Sequence, residues 1–209
     1  MTSWYQSDTV RSLDTETTGV DPHTDRIVTA AIVDIHPGRR PDVIHWTIDP
    51  GQDIAEEATA VHGYTRDRVL DLVGGEGMAL RIGDGKNEQM PAEAALGELA
   101  GLTAMAMHRE IPLVVANAPF DLTLLEAELT RYGIDTLASR PSGVRGVVDP
   151  MVIDRAFDTY RKACYRAPGC DPEAGTHACG GCRGSRQHDC GGCGVTDRKL
   201  ESLCRHYGV

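Results

Sequence analysis

Asp14 and Glu16 stand one residue apart in the stretch SLDTETTG, residues 12–19. In a β-strand, residues i and i+2 face the same side. Two like charges on one face repel, so either the strand end opens to water or a positive charge sits between them. A third acid, Asp121, lies in NAPFD, just after the apolar run IPLVVA at 111–116 and in the first turn of the helix that follows. Ligands of α/β sheets bind at strand ends. If the two strands are neighbours, Asp14, Glu16 and Asp121 converge. Three carboxylates around one spot are unfavourable without shared cations, and hard oxygen donors suit Mg²⁺ or Mn²⁺. The plainer alternative is two solvated acids at a strand end and a helix-start Asp favoured by the helix dipole.

A second constellation is rich in sulfur. Six of the seven cysteines fall between Cys164 and Cys193. Cys179-Gly-Gly-Cys182 and Cys190-Gly-Gly-Cys193 form two C-x2-C pairs, each able to bring two thiolates to one tetrahedral ion while Gly lets the backbone turn beneath it. Their spacing predicts a Zn²⁺ site, with Cys164, Cys170, His177 and His188 as spare ligands. Free thiols in a reducing compartment are the alternative. Arg183, Arg186, Arg198 and Lys199 surround the pairs and are read either as phosphate contacts or as a solvated basic loop. Cys204 falls on an apolar helix face and reads as core.

These groups need elements to hold them. The chain has 209 residues, enough for one sizeable domain, and the whole of 1–209 reads as one unit interrupted by the Cys-rich insertion 164–195. Strands are expected over 10–18, 26–35 and 43–48, joined by short turns and therefore antiparallel. Short helical segments are expected over 55–72, a Gly-rich polar loop over 74–91, and a helix over 92–108 on the stripe Ala95, Leu96, Leu99, Leu102 and Ala106. A buried strand over 111–116 leads to a helix with Pro119 in its first turn and Gly133 beyond its end. A short strand at 144–149 and a helix at 151–163 follow. In the last segment Leu200, Leu203, Cys204 and Tyr207 share one helix face behind an N-cap at Asp197. The order predicts an α/β fold with a sheet of mixed direction.

Charge narrows the function. The formal net charge is −10: residues 1–154 carry 12 basic and 25 acidic side chains, and 155–209 carry 9 and 6. Such an acidic chain does not coat nucleic acid nonspecifically, yet metal ions would let it hold a strand end. No run approaches the roughly 18 apolar residues of a membrane helix. The N-terminus lacks the pattern of a signal peptide, so the cytoplasm is the expected location.

LDTETTG, VHG at 61–63, VVANAPFDLTLLEAEL, VVDPMVIDRAFDTYR and LESLCRHYGV occur in that order. The set resembles the DnaQ-like (DEDD) exonucleases, a family that includes the epsilon proofreading subunit of DNA polymerase III. The resemblance covers most of residues 1–160 and resumes at 197–209. It implies a ribonuclease H-like fold, a mixed sheet flanked by helices, and metal-dependent hydrolysis of phosphodiester bonds at 3′ ends. DNA is the expected substrate, in proofreading or repair, with RNA as the alternative; the sequence leaves open whether a DNA polymerase is a partner. It implies two Mg²⁺ or Mn²⁺ ions held by Asp14, Glu16 and Asp121, with Asp14 bridging them. It implies that the backbone at Thr17, Thr18 and Gly19 approaches the terminal nucleotide, that His62 lines the pocket and that Asn117 orients the motif. The alternative for His62 is a structural histidine, the commoner role of an isolated loop His. The family's fourth Asp belongs to an H-x4-D helix after a segment like LCRHYGV, and nothing follows His206 that fits it. The expectation is a chain cut short within that segment, with low activity as it stands; the alternative is an inactive, zinc-stapled nucleic-acid-binding module.

Overall fold

A computed structural model describes residues 8–157. The Cys-rich segment, with Cys179, Cys182, Cys190 and Cys193, and the expected final helix lie outside those residues. The chain divides into two units, residues 1–148 and 149–209. Of the second, the described part is the helix α5, Pro150–Phe157.

The first unit is built on a seven-stranded sheet. Its strands are β1 (Val10–Thr17), β2 (Ile27–Ile35), β3 (Asp42–Ile48), β4 (Met78–Gly83), β5 (Lys86–Pro91), β6 (Leu113–Val114) and β7 (Val147–Val148). They lie in the order β5-β4-β3-β2-β1-β6-β7. β1 to β5 form an antiparallel meander, while β6 runs parallel to β1 and β7 parallel to β6. This is the ribonuclease H-like mixed sheet flanked by helices. Its helices are α1 (Glu56–His62), α2 (Arg66–Val73), α3 (Ala92–His108) and α4 (Ala118–Arg131).

β2 is rich in β-branched residues that suit a pleated, half-buried surface, and its run Ile27–Ala30 is buried. The main core joins Leu13, Ile32 and Trp46 of the sheet to Leu96 and Leu99 of α3 and to Leu124, Leu125 and Leu129 of α4. Each such leucine contributes about 1.5–3 kcal/mol. A smaller cluster, Val28, Val69 and Val73, lies beneath α2. α3 occupies the expected span, and its stripe is buried apart from Leu102, which is half-buried. Pro119 falls in the first turn of α4, and Gly133 adopts φ +66° beyond its end.

One expectation fails. Residues 74–91 are not a polar loop: α2 ends at Gly74, and the hairpin β4–β5 follows. Its turn is Asp84-Gly85, with φ of 53° and 72°, the paired positive values of a tight hairpin turn. Two features hid it. Arg81, buried where an apolar residue would mark the inner face, is neutralised by Glu98 and Asp84, each at 2.9 Å. β5 is an almost wholly exposed edge strand, KNEQMP, so burial imposes no apolar alternation on it. Among the described residues no helix is long and apolar enough to cross a membrane.

Candidate active site

The site forms where β1 ends. β6 pairs with β1 through Arg11–Leu113 and Ser12–Val114, so the chain leaving β6 reaches the neighbourhood of Asp14. Asn117 takes φ +57°, a conformation asparagine tolerates better than most residues, and turns the chain into α4. Asp121 then lies in the first turn, 6% exposed.

Asp14 and Glu16 share one face of β1 by strand alternation. Thr15 between them faces the other way, and its hydroxyl donates to Asp121 Oδ1 at 2.6 Å. Asp121 therefore meets β1 from the Thr15 side, and the acids interact around the strand end. Burial pushes the Asp121 carboxyl up from 3.8 to about 6; the Thr15 hydrogen bond opposes this and the Asp14 charge adds to it. The Glu16 carboxyl is raised by burial and then by Asp14, with His62 pulling it down. Asp14 is exposed by surface area, yet the protein around it raises its carboxyl by desolvation, against a hydrogen bond from the Thr15 backbone. All three carboxyls are thus shifted toward the protonated form, chiefly by desolvation.

Beside the acids lies a cleft of about 890 Å³, lined in part by Glu16, Thr17, Gly19, His62, Asn117 and Phe120. Val20 and Val61 also line it, and they are 91% and 81% exposed. Asp14, Thr18 and Asp121 are not among its lining residues. Thr18 is buried, and its groups are committed within the fold. Its N–H donates to the Arg26 carbonyl and its carbonyl accepts from Ala55 N–H. Its hydroxyl donates to Asp25 and accepts from Gln52. Gly19 is required by its surroundings: a Cβ there would stand 2.6 Å from Asp25 Oδ2.

His62 closes α1 with both ring nitrogens engaged. Nδ1 accepts the Tyr64 N–H at 3.1 Å, so Nε2 carries the proton and donates to the Thr17 carbonyl at 3.1 Å. It lines the cleft and pins the end of β1 at once. Thr15 and Asp25 were not singled out from sequence. Thr15 carries a signal only in lying between the two acids; Asp25 has none, because its role depends on the turn folding back onto Gly19.

The donor set is chemically that of a Mg²⁺ or Mn²⁺ site. Among the described residues, however, no three His, Cys, Asp or Glu side chains form a group able to hold a metal ion. The Asp14 charge bears on Glu16 and on Asp121.

Comparison with known proteins bears on the fold. Residues 12–72 match the RNase_T family model, described as Exonuclease. The fold is shared with exonuclease I: one structure superposes with a TM-score of 0.61 at 16% identity, covering 97% of this chain and 36% of that one. A product-bound exonuclease I gives 0.60 at 18% identity, covering 98% and 39%. E. coli exonuclease I in complex with an oligonucleotide gives 0.59 at 16% identity, covering 97% and 36%. The chain spans less than two fifths of those proteins. No curated protein matches the sequence. The resemblance that begins at LDTETTG is therefore borne out, by the family model over 12–72 and by the fold over the sheet and its helices.

Proposed function

We propose that this chain is a divalent-metal-dependent exonuclease that removes nucleotides from the 3′ ends of nucleic acid, with single-stranded DNA as substrate. The observation that carries the reading is the electrostatic coupling of Asp14, Glu16 and Asp121 beside the 890 Å³ cleft. Asp14, Glu16 and Asp121 would hold Mg²⁺ or Mn²⁺ only by drawing together on the ion, since without it they form no ligand group of three. Such ions, when bound, supply a low-pKa water and stabilise the charge of the in-line transition state.

The chain's own residues do the rest. Thr17 and Gly19 form part of the cleft wall. Exposed Val20 and Val61, with Phe120, offer apolar surface to a base without reading its identity. His62 holds the Thr17 carbonyl and so fixes the wall beside Glu16. The net charge of −13 over residues 1–154 disfavours a phosphate backbone, and bound cations would offset that. Proofreading or repair is the setting the resemblance implies.

The test is degradation of a 3′-labelled single strand. Cleavage is expected with Mg²⁺ or Mn²⁺ and not in EDTA. Asp14→Ala is expected to abolish it while leaving thermal unfolding unchanged or improved, because it relieves carboxylate repulsion. Full activity of Asp14→Ala, or activity in EDTA, overturns the reading. One observation favours a second reading, a nucleic-acid-binding module that does not cut: the described carboxylates form no ligand triad. That reading requires oligonucleotide binding that persists without divalent ions and no cleavage at any metal concentration.

A further inference from the structure

Seven residues past Asp121 on α4 lies Glu128, 1% exposed. Seven residues make nearly two full turns, so both carboxylates leave the same face of the helix. Glutamate is almost never buried to this degree unless paired, and here every partner comes from the chain around the start of β2 or from α4 itself. Arg26 Nε donates to Oε1 at 2.6 Å and Arg26 Nη2 to Oε2 at 3.1 Å, a two-pronged fork. The Ile27 N–H donates to Oε1 at 3.2 Å. Arg131 Nη1 stands 3.3 Å from the same oxygen and also donates to the Asp25 carbonyl.

These bonds end at the carboxylate site. The β1–β2 register slips between Glu16 and Thr17, where Thr17 pairs with Ile27. Arg26 N–H donates to Thr18 Oγ1 at 3.0 Å, and its carbonyl accepts the Thr18 N–H at 2.9 Å. Glu128 is thus anchored to the backbone that sets the irregular end of β1. A buried ion pair is a poor source of stability, since well-packed apolar residues of the same volume hold as firmly. What a fork adds is direction: an apolar contact lets a helix slide along the sheet, whereas three hydrogen bonds to one carboxylate do not.

We infer that Glu128 is a positioning residue of the carboxylate site: through Arg26 and Ile27 it fixes α4 against the end of β1 and so sets where Asp121 stands relative to Asp14 and Glu16. The inference rests on the proposed function for its metal readout, and a second readout is free of it.

The experiment uses the full chain and two measurements: the ¹³C chemical shift of the Asp121 carboxyl in metal-free protein, and Mn²⁺ affinity by calorimetry well below the unfolding temperature. Glu128→Gln keeps the size of the side chain and loses the charged fork. Arg26→Lys keeps the charge and loses the fork; it serves also if Glu128→Gln does not fold. Asp34→Asn is the control, because Asp34 pairs with Arg11 near the start of β1, away from the acids. Glu128→Gln is expected to move the Asp121 signal and to weaken Mn²⁺ binding by about tenfold, with Arg26→Lys changing both in the same direction to a smaller extent. Asp34→Asn is expected to lower the unfolding temperature and to leave both readouts in place. If the wild type binds no Mn²⁺ but the Asp121 signal still moves, the metal reading falls and the positioning role stands. An unmoved Asp121 signal in the folded variants, or an equal response from Asp34→Asn, overturns the inference.

Discussion

Replacing Asp121 by asparagine should stabilise this protein at neutral pH and not at acid pH. The carboxyl is raised from 3.8 to about 6, chiefly by burial. The folded state therefore binds the proton more tightly than the unfolded chain. The stability this confers is fully present below 3.8 and is lost as the pH rises through about 6. Ionising the buried group above that range costs up to roughly 3 kcal/mol. Asparagine is neutral throughout, nearly isosteric, and can still accept the Thr15 hydroxyl that Asp121 Oδ1 now accepts at 2.6 Å. Urea unfolding in EDTA should therefore show Asp121→Asn and wild type equal near about pH 4, with the variant ahead by roughly 2–3 kcal/mol near about pH 8. Both proteins share every other titrating group, so their difference reports Asp121 together with its coupling to Asp14. Saturating Mn²⁺ should cancel much of the advantage, since a ligand at a hundred times its dissociation constant stabilises by about 2.7 kcal/mol. A difference that stays constant across this pH range would refute the reasoning.

The remaining predictions are narrower. Gly19→Ala should destabilise the fold by about 1–3 kcal/mol, because its Cβ meets a carboxylate that Thr18 Oγ1 and the Asp21 N–H hold in place; adding Asp25→Ala should recover part of the loss, and wild-type unfolding of Gly19→Ala alone would exclude the clash. Protein purified without chelator should contain one Zn²⁺ per chain, bound by Cys179, Cys182, Cys190 and Cys193. Elemental analysis decides it: a Cys179→Ser/Cys190→Ser protein with stoichiometric zinc has other ligands.

Sequence by itself determined the parts of this protein whose physics is local. The first three strands, α3 and α4 follow from apolar spacing, with Pro119 and Gly133 bounding α4, because a helix or strand must repeat its apolar residues to bury one face. Strand alternation alone placed Asp14 and Glu16 on one side of β1. The β4–β5 hairpin escaped: Asp84-Gly85 was a legible turn, but a buried arginine and a polar edge strand removed the alternation that reveals strands. What only the tertiary structure decided depends on contacts between distant residues. Asp121 acquires its raised pKa because folding buries it against β1, over a hundred residues away in sequence. Gly19 answers to Asp25 rather than only to an open cleft, and Thr18 is bound into the loop. Glu128 looks like any helix glutamate until Arg26 arrives from 102 residues earlier to form its fork. Periodicity reports which face of an element is buried; it carries no information about which charged group will be opposite.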